Sequence, residues 1–436
     1  MNIKNKLILL FFSFCFTIYS YSQSDTLSVT LDQAMDYATE FGYQNVNADY
    51  DIDIARKKVR ETLAIGLPQI SGSGTFNKNL LIQEIVAQIG GETQRFKMGT
   101  DYNSTLGARV EQILFDGSFF VGLQASKVFV KVSENGKEKT AIEIKQAIAE
   151  VYFLAAIADE NIRDFKKSLD SNQKTYEETK VIFENGLIED TEVDQIKLMV
   201  NDSRRLYLEA KRQQAVTMAI LKFTMGYDID MPLKVSDTID DLLLKIPLMP
   251  SLSPNLHDHI DYRSLVTQVE IQNLDIKRQK ALALPTLSAY ASYDYTLLGD
   301  DLSKLTNTDG AAIGVTLRVP IFSGGERSAQ LSQKKIALQQ LNVDKRMLEQ
   351  SLERDFLIAT TNLTNSKAQY DNAAEALEIA TRIHNKTLFK FKNGLSSSLE
   401  LSQTENNLTK AMIDFRMISI NYFNMYINYQ KATARL

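Results

Sequence analysis

Few side chains in this 436-residue sequence stand where they could do covalent chemistry. His257 and His259, with Asp258 and Asp261 beside them, are the best metal-ligand candidates, because imidazole and carboxylate are the donors zinc takes. Two histidines two apart in a proline-rich connector are a thin ligand set, and they read as a surface loop. The glycines of Phe322-Ser323-Gly324-Gly325-Glu326-Arg327 lack the strand, loop and lysine that cradle a phosphate. No nucleophile is matched to a base, and no carboxylate pair marks a pocket. The sequence therefore predicts no enzyme, no cofactor and no metal. What recurs is a polar set of another kind. Asn185-Gly186-Leu187, followed by Glu192 and Gln195, returns 208 residues later as Asn393-Gly394-Leu395, followed by Glu400 and Gln403.

That recurrence is part of a longer one. Leu67-Pro68 returns as Leu284-Pro285, and Phe115-Asp116-Gly117 returns as Phe322-Ser323-Gly324. Self-similarity at so many ordered landmarks marks an internal repeat. The two copies are residues 23–226 and 258–436, joined by a connector at 227–257 where Pro232, Pro247, Pro250 and Pro254 concentrate.

Each copy predicts the same elements. A helix comes first, over residues 28–66 in one copy and 261–283 in the other; in the first, Thr30 and Gln33 form a capping box. Pro68 and Pro285 stop these helices. Period-two alternation then predicts a β-hairpin, over about 69–114 and again over about 286–321. Ile70, Gly72, Gly74 and Phe76 share a face in the first, and Leu287, Ala289, Ala291, Tyr293 and Tyr295 in the second. The stretches 85–99 and 297–310 read as loops across the hairpin tips. Tyr290, Tyr293, Tyr295, Phe119 and Phe120 suit either interfacial aromatic girdles or ordinary packing.

At Phe115 and at Phe322 the period changes from two to that of a helix. From Glu326 to Phe391 there is neither Pro nor Gly, and Leu338, Leu341, Leu348, Leu352, Phe356, Ala359 and Leu363 step by three, four and seven. Such a narrow seam predicts coiled-coil packing of a helix roughly 100 Å long. Its counterpart covers about 119–184. Both end at Asn-Gly-Leu, where glycine supplies the left-handed turn, and return helices follow at about 190–225 and 398–434.

The N-terminus reads as an address. Lys4 and Lys6, an apolar run from Leu7 to Ile18, and Ser20-Tyr21-Ser22 form a secretory signal over 1–22. Its removal leaves a net charge of −7 and no cysteine, since Cys15 is the only one; the bulky Phe14 argues against lipid attachment there. No basic block suggests nucleic acid. Four strands cannot close a barrel, and open edges cannot sit in lipid. Several chains must then share one barrel, and three would supply twelve strands.

The order of elements, the doubled Leu-Pro stop, the doubled Phe-x-Gly turn and the doubled Gly-Leu tip resemble the outer membrane efflux protein (TolC) family over nearly all of 25–436. The resemblance implies an α+β membrane protein. It would be a homotrimeric channel-tunnel with a shared twelve-stranded β-barrel in outer-membrane lipid, continued by a coiled-coil helical barrel in the periplasm. It implies the exit duct of a tripartite efflux pump or type I secretion system, with a periplasmic adaptor and an inner-membrane transporter as partners. The strand-to-helix turns are then Phe115, Gly117, Phe322, Gly324 and Gly325. The adaptor-contact tips are Asn185, Gly186, Leu187, Asn393, Gly394 and Leu395, and the periplasmic gate is Glu192, Gln195, Glu400 and Gln403. A secreted coiled-coil structural protein or adhesin is the alternative; it explains the seams but not the strands.

Overall fold

The computed structural model describes residues 26–247 and 256–436. The expected signal peptide, Cys15, Pro250 and Pro254 lie outside the described residues. In chain order the elements are β1 (Leu27–Val29), α1 (Leu31–Phe41), α2 (Tyr43–Ile65), β2 (Gln69–Lys78), β3 (Glu84–Ile89), β4 (Glu92–Lys97), β5 (Tyr102–Phe115), α3 (Gly117–Glu184) and α4 (Asp190–Met225). Then come β6 (Leu233–Val235), α5 (Ile239–Leu244), a 3-10 turn (Leu256–Asp258), α6 (Ile260–Ala281), β7 (Thr286–Gly299), β8 (Thr306–Arg318), α7 (Glu326–Lys392) and α8 (Ser398–Ala432).

The chain forms two compact units. One gathers residues 26–47, 140–247 and 352–436; the other gathers 48–139 and 257–351.

The first unit holds the thick core. Ile148, Tyr152 and Phe153 of α3, Leu221 and Met225 of α4, Leu242 of α5, and Phe423 and Ile427 of α8 are almost fully buried. The Phe153 and Phe423 rings stack at 4.2 Å and 4°. Strands β1 and β6 pair in parallel from Leu27–Leu233 to Val29–Val235. The Tyr152 hydroxyl lies 2.8 Å from the Val29 carbonyl oxygen and 2.9 Å from Asp237 Oδ2, and accepts from the Ser236 and Asp237 N–H groups at 3.2 Å. Asp237 in turn accepts from the Leu31 N–H at 2.6 Å, so one phenol and one carboxylate fasten the parallel pair to α1 and α3. The capping box is present: the Gln33 N–H donates to Thr30 Oγ1, and the Thr30 N–H to Gln33 Oε1. The helix expected over residues 28–66 is two helices, α1 and α2. They part at Gly42, whose extended ψ of 135° turns the chain.

The second unit holds the sheet, in the order β2-β5-β7-β8, antiparallel throughout. The register aligns the alternation of all four strands. Ile70 pairs with Val110, Val110 with Ala291 and Ala291 with Ile313, making an apolar row across the sheet. One residue along, Ser71, Arg109, Ser292 and Ala312 make the row that faces the other way. In a pleated sheet this puts an apolar set on one face and a mostly polar set on the other. Ile70 is 78% exposed and Ile313 88%, so none of the described residues covers the apolar face there.

The first hairpin loop differs from its expectation. Residues 84–97 form a hairpin of their own, β3 with β4, turning at Gly90-Gly91, both with positive φ. A two-residue Gly-Gly connection is a primed hairpin turn.

Candidate functional site

Both long helices end in the same construction. The Gly186 N–H donates to the Phe183 carbonyl oxygen at 2.8 Å and the Leu187 N–H to that of Ile182 at 3.2 Å; the Gly394 and Leu395 N–H groups reach Phe391 and Lys390 at 2.9 Å. These two bonds define a Schellman motif, which needs a left-handed residue before the last one. Gly186 and Gly394 supply it, at φ +73° and +71°. No atom lies within 4 Å of a Cβ placed there, so a larger residue would be penalised by the backbone angle and not by crowding. Asn185 and Asn393 donate back to the Val181 and Phe389 carbonyl oxygens at 2.7 Å. Leu187 and Leu395 stand 74% and 73% exposed. Close behind the tips, Ile196, Met199 and Leu401 bury one another, with Tyr176, Leu388 and Phe391 against them.

The acids beyond the tips are placed unequally. Glu192 is half-buried, and its Oε2 accepts from the Ser398 N–H at 2.8 Å, capping α8 from a neighbouring helix. Gln195 donates to Ser402 Oγ at 3.1 Å. Glu400 is exposed. Its carboxylate accepts from Ser396 Oγ at 2.6 Å, and its N–H donates to the Ser397 cap at 3.2 Å. Gln403 is exposed.

The strand-to-helix turns also differ between copies. After Phe115, Asp116 Oδ1 caps α3, accepting from the Ser118 N–H at 2.7 Å and the Phe119 N–H at 3.3 Å. At Gly117 the chain runs close to the second Leu-Pro stop: a Cβ there would come within 2.8 Å of the Leu284 side chain, which would have to shift. After Phe322 the chain instead turns through Gly324 and Gly325, at φ +60° and +89°. There Arg327 ties the turn to Ser323 Oγ and the Pro320 carbonyl oxygen at 3.0 and 3.2 Å. Tyr290 lies under the Arg109 guanidinium, 4.7 Å from ring centre to carbon.

The histidines of the connector have local work. His259 Nδ1 accepts from the Asp261 N–H at 3.3 Å at the start of α6, and His257 meets Tyr262 edge to face at 5.1 Å. His384 and Glu405 belong to no motif of the sequence, and position is their one signal, since His384 lies three heptads beyond Leu363 on the buried stripe of α7.

No described helix is long and apolar enough to cross a membrane. The apolar face that stands open is that of the sheet. Residues 261–419 match the family described as outer membrane efflux protein. The match covers most of the second copy of the repeat. Among curated relatives, the alkaline protease secretion protein AprF of Pseudomonas aeruginosa is 23% identical over 348 residues, covering 73% of this chain and 69% of that protein. The outer membrane efflux protein BepC of Brucella suis is 24% identical over 325 residues, covering 72% and 69%. Among solved structures, the CmeC outer membrane channel of Campylobacter jejuni superposes with a TM-score of 0.69 at 20% identity, covering 93% of this chain and 85% of that one. The fold is therefore that of this outer membrane channel.

Proposed function

We propose that three copies of this chain close one twelve-stranded barrel in the outer membrane and continue it as a helical tunnel. This would be the exit duct of a tripartite efflux pump or type I secretion system, met by a periplasmic adaptor and an inner-membrane transporter. One observation carries the reading: the sheet stops at β2 on one side and β8 on the other, with an apolar face that the chain leaves open. Strand direction alternates across the four strands, so β8 of one copy can pair antiparallel with β2 of the next, and lipid tolerates only such closure. The secretion and efflux named for AprF and BepC support the same reading. The two-copy organisation of the chain supplies two staves per subunit, with domains as delimited by the landmarks above.

Within this duct the exposed Asn-Gly-Leu turns are the adaptor contacts, and Glu400, with Gln403, Glu192 and Gln195 behind it, lines the periplasmic mouth. Mass measurement of the detergent-extracted protein should find trimers; monomers with every strand edge satisfied would overturn the reading. Replacing both Gly186 and Gly394 by valine should abolish export while trimers persist. Export that survives both changes would remove the tips from the docking role.

A further inference from the structure

Outside the tips, one polar cluster is buried in the helical unit. Glu405 of α8 is 6% exposed and His384 of α7 is 7% exposed. Glu405 Oε1 accepts from Ser168 Oγ at 2.5 Å and from Asn172 Nδ2 at 2.8 Å, both on α3. The same Asn172 amide reaches Ser203 Oγ of α4 at 2.8 Å. Glu405 Oε2 lies 3.4 Å from His384 Nε2. One carboxylate thus gathers polar groups of α3 and α7, and Asn172 extends the cluster to α4. It does so ten or eleven residues from Gly394, about 15 Å along a helix.

A buried carboxylate with only neutral donors is costly, and a cation beside it relieves that cost. His384 is the group in direct reach that can become one. With its Nε2 toward Glu405, a neutral ring presents Nδ1 bare, and Nδ1 has no hydrogen-bond partner among the described residues. The ring lines a cavity of about 330 Å³. The charged groups facing this cavity are few. Asp164 and Lys167 come from α3, and Glu405 and Arg416 from α8; α7 adds only Leu377, Thr381, Asn385 and Leu388 beside His384, and α4 lends only the Ser203 hydroxyl. Arg416 is spent on Glu160 and Asp164, at 2.8 and 2.9 Å. The repeat offers no second copy. At the equivalent first-half positions stand Tyr176 and Lys197, and Lys197 is exposed.

We infer that His384 and Glu405 form a proton-operated clasp that holds α7 and α8 to α3 more tightly in acid than in alkali. Histidine is the side chain whose charge ordinarily changes between about pH 5 and 8. With the ring protonated, the pair is a buried imidazolium and carboxylate; with the ring neutral, a 3.4 Å contact between it and a lone carboxylate remains. The tips would stiffen as the surrounding medium acidifies. The clasp lies within one chain, so it does not depend on the trimeric duct.

Hydrogen exchange on the full-length detergent-solubilised protein tests this. After correction for intrinsic rates, peptides around 380–410 should exchange about fivefold more slowly at pH 6 than at pH 8, and His384→Gln should remove the difference. Glu405→Gln, which keeps the Ser168 contact through its amide oxygen, should remove it too and decides the matter if the histidine variant does not fold. A pH difference that is absent from the wild type, reversed, or retained in the variants would overturn the clasp. None of these outcomes bears on whether the protein is a trimer.

Discussion

The four-stranded sheet and the core around Tyr152 use the same apolar residue types to opposite ends. In the core, Phe153, Phe423, Ile148 and Leu242 are almost fully buried, and the Tyr152 phenol beside them sits amid four polar groups of the backbone and Asp237. In the sheet, Ile70, Val110 and Ile313 line up across three strands and face outward. An isolated apolar residue on a surface means little, but a row in cross-strand register is a designed face. The core was built to exclude water by itself, whereas the sheet was built for an apolar solvent outside the chain.

The sharpest way to break this contrast is to charge the apolar row. Ile313→Arg should cost about 2–4 kcal/mol in each copy at mid-bilayer depth, and repeated in an assembly it should empty the outer-membrane fraction. Thr316→Arg, three residues on and on the opposite face, should leave that fraction intact. Membrane fractionation and heat-resistant oligomers on gels read both outcomes. Equal loss in the two variants would mean that the faces are not differently solvated.

A smaller effect sharpens the other half of the contrast. Burial, and the Asp237 carboxylate after it, push the Tyr152 phenol up to about 12 from an ordinary value of 10, and burial pushes Tyr422 to about 12 as well. A tyrosine raised in the fold stabilises it fully below pH 10, because both states then carry the proton. As pH climbs from 10 toward about 12, the unfolded chain releases the proton first and stability falls. For Tyr152 the loss amounts to at most about 3 kcal/mol. Denaturant midpoints between pH 8 and 11.5 should therefore drop steeply in the wild type. Tyr152→Phe should flatten that drop, while costing about 1 kcal/mol at pH 8 for the backbone groups left unbonded.

Period and punctuation made much of this architecture legible. The alternation at Leu287, Ala289 and Ala291 coincides with β7, and the proline-free run from Glu326 with α7. Hairpin β3–β4 is hard to see in the sequence because its two strands are short and lie inside the stretch between the longer strands, although Gly90-Gly91 joins them. The break at Gly42 escaped because an apolar stripe runs past it on both sides. The Glu192 bond to Ser398 was hidden for a deeper reason. It joins positions 206 apart, and only the folded packing of two return helices tells which of two matching acids is used inward. The same holds for Glu405, whose partners come from two other helices.

That inequality between matching acids sets the smallest effect expected. Glu192→Ala removes a charge-assisted bond to a helix N-terminus and should lower unfolding stability by about 1 kcal/mol. Glu400→Ala removes an exposed carboxylate whose side-chain bond is to its own turn, and should lower it by less than about 0.5 kcal/mol. Conductance should rank them the other way. If the second-copy carboxylate rings the mouth, the Glu400 variant should leak more in planar bilayers and lose block by divalent cations. The Glu192 variant should keep that block, because its charge is already engaged by Ser398. Two acids at one repeat position would then have divided their labour, one fastening the tip and one facing the ions. Unchanged block in the Glu400 variant would leave both as helix caps.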